Sequence, residues 1–136
     1  MTKTMNKKSI LSILIAFAIM ISSFACIGTA SAATVNYTPQ ITKAKLTYSP
    51  GYTKLKTAEV HWKNPAKYKN WKVQYRFKIP GVQSYIYTKW VNANATVKQK
   101  HFSRRIGKSL DMCAPGWVQI RFYSGNKYTK ASSWKK

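Results

Sequence analysis

The chain reads as all-β: a seven-stranded antiparallel β-sandwich behind an N-terminal signal peptide. Three observations lead there. The run Trp71-Lys72-Val73-Gln74-Tyr75-Arg76-Phe77-Lys78-Ile79 alternates apolar or aromatic residues with polar ones along its whole length. A period of two puts one set of side chains on a buried face and the other in water, whereas a helix would scatter them around its circumference. Turn-forming clusters recur between such runs, at Ser49-Pro50-Gly51, Lys63-Asn64-Pro65, Pro80-Gly81, Pro115-Gly116 and Ser124-Gly125-Asn126. No segment after residue 32 repeats its apolar residues at helical spacing.

In chain order, the first element is an export signal over residues 1–32. Lys3, Lys7 and Lys8 give a positive start, Ile10 to Ile21 is apolar apart from Ser12, and Ala30-Ser31-Ala32 has the small-x-small pattern of a cleavage site. The apolar stretch is short for a membrane span, which needs about 20 residues. Cys26 offers a lipid-attachment alternative, but Ser23-Phe24-Ala25 lacks the leucine that such sites carry three positions upstream. Cleavage and secretion are therefore expected. Removal of Cys26 leaves Cys113 alone, so no intrachain disulfide is expected, and this cysteine usage points to a bacterial source.

Residues 33–39 are polar and read as a loose leader, with the basic sandwich domain at 40–136. Ala44, Leu46 and Tyr48 mark a first strand, and Ala58, Val60 and Trp62 a second. The nine-residue run from Trp71 is the third, and Val118, Ile120 and Phe122 mark the sixth. Weaker runs at Ser84 to Val91, Thr96 to Phe102 and Tyr128 to Trp134 complete the set. Ser103 to Ala114 is the longest gap and reads as a crossover between sheets.

Several of these segments resemble a fibronectin type III module, over roughly Ile41 to Trp134. His61-Trp62-Lys63-Asn64-Pro65 is similar to the tryptophan and proline that end that family's second strand, and Trp71 to Arg76 to its third. Val118 to Asn126 resembles the sixth strand, and Ser132-Ser133-Trp134 the serine and aromatic of the last. The family's tyrosine at the start of the sixth strand is replaced by Val118, with Trp117 beside it, so that corner must be built differently. The resemblance implies a non-catalytic binding or spacer module, and fold alone does not fix function.

Catalytic chemistry has little to draw on. Glu59 and Asp111 are the chain's only acids and fall on different elements, which disfavours paired-carboxylate hydrolysis. His61, His101 and Cys113 are too few and too scattered for a structural zinc site. No spacing supports a nucleophile set built on Cys113, and glycine-rich phosphate loops are absent. No enzyme activity, metal or cofactor is expected. Glu59 is expected to pair with a neighbouring lysine.

Charge points elsewhere. The chain carries 24 Lys and Arg against its two acids, and 21 of those cations follow residue 32. Such an excess must find counter-ions outside the chain, so a polyanion is the expected partner. Alternation puts Lys72, Arg76, Lys78 and Arg121 on one wet face, and Lys98, Lys100, Arg104, Arg105 and Lys108 form a second cluster. Tyr85, Tyr87, Trp90, Tyr123 and Trp134 are the aromatic contact candidates, because they fall where an inward face cannot hold them all. The leading expectation is attachment to anionic cell-envelope surfaces, membrane or wall, with an antimicrobial, bacteriocin-like role. Two further classes stay open: a matrix or wall module for acidic polysaccharide or teichoic acid, and an extracellular nucleic-acid binder.

Overall fold

In the computed structural model, residues 32–136 are described; the stretch expected to be an export signal, with Cys26, lies outside the described residues but for Ala32. Nine strands follow in order: β1 (Ala33–Val35), β2 (Ile41–Tyr48), β3 (Lys54–Trp62), β4 (Lys72–Pro80), β5 (Tyr85–Tyr87), β6 (Val91–Thr96), β7 (His101–Ser109), β8 (Trp117–Ser124) and β9 (Lys127–Thr129). The sheets are β2-β3-β7 and β1-β9-β8-β4-β5, with β6 also paired to β4. The assigned strand pairs are antiparallel. Both sheets turn apolar faces into one core.

Alternation explains the core directly. Val73, Tyr75, Phe77 and Ile79 of β4 are buried, as are Val118, Ile120 and Phe122 of β8. From the other sheet come Ala58, Val60 and Trp62 of β3 and Phe102 of β7. Leu55 is buried out of phase with Ala58, and the β3–β7 register slips between Leu55 and Thr57 to allow it. Inside this core the Trp62 indole N–H donates to the Val97 carbonyl at 2.8 Å, so its burial leaves no polar atom unpaired.

The strand count differs from seven for two physical reasons. The run at Ser84 to Val91 is interrupted at Thr88, which stitches itself to β4 instead of continuing the ladder. Its N–H donates to the Phe77 carbonyl and its hydroxyl accepts from the Phe77 N–H, each at 2.9 Å. β5 and β6 thus pair with the same edge of β4 on either side of that stitch. The second reason is β1, which lies in the stretch expected to be a loose leader.

That leader is packed. Pro39 is among the fully buried residues. The Tyr37 ring lies 4.7 Å from Tyr68 and 6.2 Å from Phe122, while the Tyr37 carbonyl accepts from the Lys130 N–H at 2.9 Å. The folded unit therefore begins before residue 40; Thr34–Lys136 forms one compact body.

Two further expectations need correction. Ser103 to Ala114 is not a crossover loop for most of its length, since β7 runs to Ser109. Thr96 to Phe102 is not one strand: a 3-10 turn at Val97–Gln99 separates β6 from β7. Thr96 and Gln99 close a capping box on that turn, and Lys100 leaves it with φ 67°. The corner before β8 is closed from another strand. The Gly116 N–H donates to the Tyr48 hydroxyl at 2.9 Å, tying the end of β2 to the start of β8. A Cβ on Gly116 would sit 2.8 Å from the Lys78 carbonyl oxygen, so this close approach requires glycine.

Candidate functional site

β4 and β8 lie side by side, and their outward residues meet in a checkerboard. Lys72 faces Tyr123, Gln74 faces Arg121, Arg76 faces Gln119, and Lys78 faces Trp117. Every cation is opposite an amide or a ring, never another cation, which avoids the cost of like charges directly across a ladder. The amides are used as bridges. Arg121 Nε donates to Gln74 Oε1 at 2.8 Å, and Gln74 Nε2 passes the chain on to Asn92 Oδ1 at 2.9 Å. Arg76 Nε donates to Gln119 Oε1 at 2.8 Å, and Gln119 Nε2 donates to the Ser132 carbonyl at 2.7 Å.

Rings from distant segments fill the spaces between the cations. Trp90 lies 4.4 Å from the Arg121 guanidinium carbon and 4.6 Å from that of Arg76. Trp134 lies 5.3 Å from Arg76 and 5.4 Å from Lys78 Nζ. Tyr128 closes one end, 4.1 Å from Arg121. At the other end Trp117 sits 4.7 Å from Lys78 and 5.0 Å from Lys136, with Tyr85 4.9 Å from Lys78. The result is a continuous ladder: Tyr128, Arg121, Trp90, Arg76, Trp134, Lys78, Trp117, Lys136. Each cation lies near the aromatic quadrupole, worth about 0.5–1 kcal/mol per contact at exposed sites and more where water is excluded. Burial is the largest influence on Arg121 and lowers its pKa; the neighbouring Tyr128 raises it, and the Arg76 charge lowers it further. A guanidinium nonetheless remains charged in water at ordinary pH.

Arg76, Lys78 and Arg121 do share a face, as alternation indicates, but they are half-buried among rings. Lys72 is exposed at the edge of that face, in a shallow cleft of about 320 Å³ with Asn92, Asn94, Thr96, Gln99 and Tyr123. Of the aromatic candidates, Trp90 and Trp134 are half-buried in the ladder, and Tyr85 and Tyr87 are exposed beside it. Tyr123 stacks on Tyr128, ring centres 6.1 Å apart. Trp117 went unassigned by sequence reasoning, although it shares the outward parity of Gln119 and Arg121 on β8.

The second basic cluster divides. Lys98 and Lys100 are exposed on the 3-10 turn, and Arg105 and Lys108 are exposed on β7. Arg104 turns the other way: its Nε donates to the Ala93 carbonyl at 3.1 Å, and its Nη2 bonds the same oxygen. Its guanidinium serves the β6 backbone.

The outer face of β2-β3-β7 is built differently. Lys45 is opposite Glu59, Lys43 opposite His61, and His61 opposite His101. Glu59 does not pair with a lysine; its Oε1 is 2.7 Å from His61 Nε2, two positions along the same strand face. The His61 and His101 rings stack at 5.2 Å. The Glu59 carboxyl is held below the ordinary glutamate range, first by the His61 hydrogen bond, with desolvation opposing and Lys43 and Lys45 assisting. Glu59–His61 is the single contact between a carboxylate and a basic side chain among the described residues. No group of three histidine, cysteine or acidic side chains suited to a metal occurs among the described residues.

No protein-family model, curated protein or solved structure matches this chain.

Proposed function

We propose that the chain is an exported, non-catalytic cationic module that attaches to anionic cell-envelope surfaces. The observation that carries this reading is the state of its charge. Among the described residues no lysine or arginine is paired with a carboxylate, because the one paired acid, Glu59, is taken by His61. The ladder sets four cations against rings, and rings lower the energy of a charge without cancelling it. The remaining field looks outward. About 1 kcal/mol per cation near an anionic leaflet makes attachment strong from a few contacts. The export signal in residues 1–32 supports the compartment, and the two-sheet arrangement with Trp62 buried and Trp134 on the last segment supports a fibronectin type III-like scaffold.

Co-sedimentation with phosphatidylglycerol vesicles, phosphatidylcholine vesicles and isolated cell-wall material tests the reading, with growth inhibition measured in parallel. Retention on anionic lipid or wall is expected, falling as salt rises past about 0.15 M, where the Debye length is about 8 Å. Equal retention on neutral vesicles at all salt concentrations would overturn it. Attachment without growth inhibition would assign the protein to wall and surface binders and remove the antimicrobial role.

A further inference from the structure

Exposed apolar residues are concentrated in one place. Seven large hydrophobic residues are exposed in the described part of the chain, and five of them, Val82, Tyr85, Ile86, Tyr87 and Val91, fall within ten consecutive residues. That stretch is the β4–β5 turn, β5 itself and the start of β6, at the free edge of the larger sheet. Val82, at the turn, is 82 % exposed, the highest of the seven. The turn is a fixed structure. The Gly81 N–H donates to the Ser84 carbonyl at 3.0 Å, and a Cβ on Gly81 would sit 2.5 Å from that same oxygen.

Register shows that the apolar groups occupy both sides of the edge. Tyr85 and Tyr87 are level with Pro80 and Lys78 and lie on the ladder side, where Tyr85 meets Trp117 and Tyr87 meets Trp134. Ile86 is level with Ile79 and points to the opposite side, in line with the core but beyond its cover, at 48 % exposed. A rigid partner laid on one face would cover the tyrosines or the isoleucine, not both. A fluid medium surrounds an edge and covers both faces at once.

Charge chooses the medium. Lys78 stands within the aromatic cluster and Lys89 is exposed just after β5, while the chain's two acids are both far along the sequence from this stretch. A second copy meeting this edge would bring its own large positive charge, since 21 Lys and Arg against two acids follow residue 32. Tyrosine and tryptophan settle at the headgroup level of a bilayer, where one end of the ring is wet and the other apolar. Lysine stems lie along apolar surface while their ammonium heads stay at the phosphates.

Resting on the attachment proposed above, we infer that the β4–β5 edge, Val82 with Tyr85, Ile86 and Tyr87, is the segment that enters the interface of an anionic lipid bilayer. Attachment then has two parts. Diffuse charge brings the protein to the surface, and this edge orients it there.

The experiment places an environment-sensitive dye on Val82→Cys in the exported part, residues 33–136, carrying Cys113→Ser, with Asn126→Cys as the control position. On phosphatidylglycerol vesicles the dye at 82 is expected to shift its emission to the blue, while the dye at 126 stays water-like. Phosphatidylcholine vesicles are expected to leave both unchanged. Adding Ile86→Ser, which alters no charge, is expected to reduce the shift at 82. Sedimentation with the anionic vesicles and no shift at 82 would overturn the edge assignment and leave surface attachment standing. Absence from anionic vesicles and wall alike would overturn both. A shift at 82 on self-association in the absence of lipid, abolished by Ile86→Ser, would make the edge a contact between copies and overturn the lipid assignment.

Discussion

The two sheets of this protein each turn a strand face to water, and both faces are rich in cations, yet they hold them in different ways. On β4 and β8 the cations are locked: Arg76 and Arg121 each have an amide acceptor and at least two aromatic neighbours. On β2 and β3 the cations are loose. Lys43 and Lys45 are exposed, and the carboxylate beside them bonds to His61. One face spends its cations on holding distant segments together, and the other leaves them free for a partner. Period-two alternation reports which side of a sheet a residue faces; it does not report whether the side chain is free once there.

The sharpest way to break the contrast is to remove a ring. Trp90→Ala takes away the aromatic surface between Arg76 and Arg121 and leaves the two guanidiniums with only their remaining contacts. Two cation–π contacts plus the lost apolar burial amount to about 2–3 kcal/mol of stability. Lys45→Ala, on the loose face, is expected to change stability by no more than about 0.5 kcal/mol. Urea unfolding of the two variants decides it, and equal losses would mean that the ladder is ornament on the sheet.

A charge-conserving change and a charge-removing one should then separate stability from attachment. Arg121→Lys keeps the charge but loses the planar group that reaches both Gln74 and the ring of Trp90. A loss of about 1–1.5 kcal/mol of stability is expected, the size of one hydrogen bond to a charged group, with attachment to anionic vesicles unchanged. Lys43→Gln with Lys45→Gln should do the opposite. Stability stays within about 0.5 kcal/mol, while affinity for anionic lipid falls roughly fivefold per charge, from about 1 kcal/mol each. If Arg121→Lys weakens attachment as much as the double lysine variant, the ladder is itself the contact surface.

How far these faces were legible in the sequence follows from the same physics. β4 was plain because Val73, Tyr75, Phe77 and Ile79 keep strict phase and all are buried. β7 was hidden because one of its inward-phase positions is Arg104, which satisfies the Ala93 carbonyl instead of packing as an apolar residue. Its continuation past Ile106 then meets Gly107 at φ 66°, which reads as a turn. The leader was missed because Tyr37 and Pro39 pack without any strand period to announce them. The shared face of Arg76, Lys78 and Arg121 was readable from parity alone. The rings between them were not, because Trp90 and Trp134 come from irregular segments whose placement depends on the folded sheet.

The smallest effect concerns the lone acid of the loose face, and it has a definite sign. Glu59 is held below the ordinary glutamate pKa, chiefly by the His61 hydrogen bond. A carboxyl whose folded pKa is depressed contributes stability above its unfolded value and loses that contribution as pH falls through the folded pKa. Wild-type stability should therefore decline on acidification from the ordinary glutamate range downward, and Glu59→Gln should flatten the slope in that window. The test is clean in this chain because the only other acidic side chain is Asp111, which has no ion-pair partner among the described residues. In a protein with a normal complement of carboxylates this slope would be a sum over many groups. Here it belongs to nearly one residue, so an unchanged slope in Glu59→Gln would show that the Glu59–His61 bond is too exposed to matter and that the loose face is held by its backbone ladder alone.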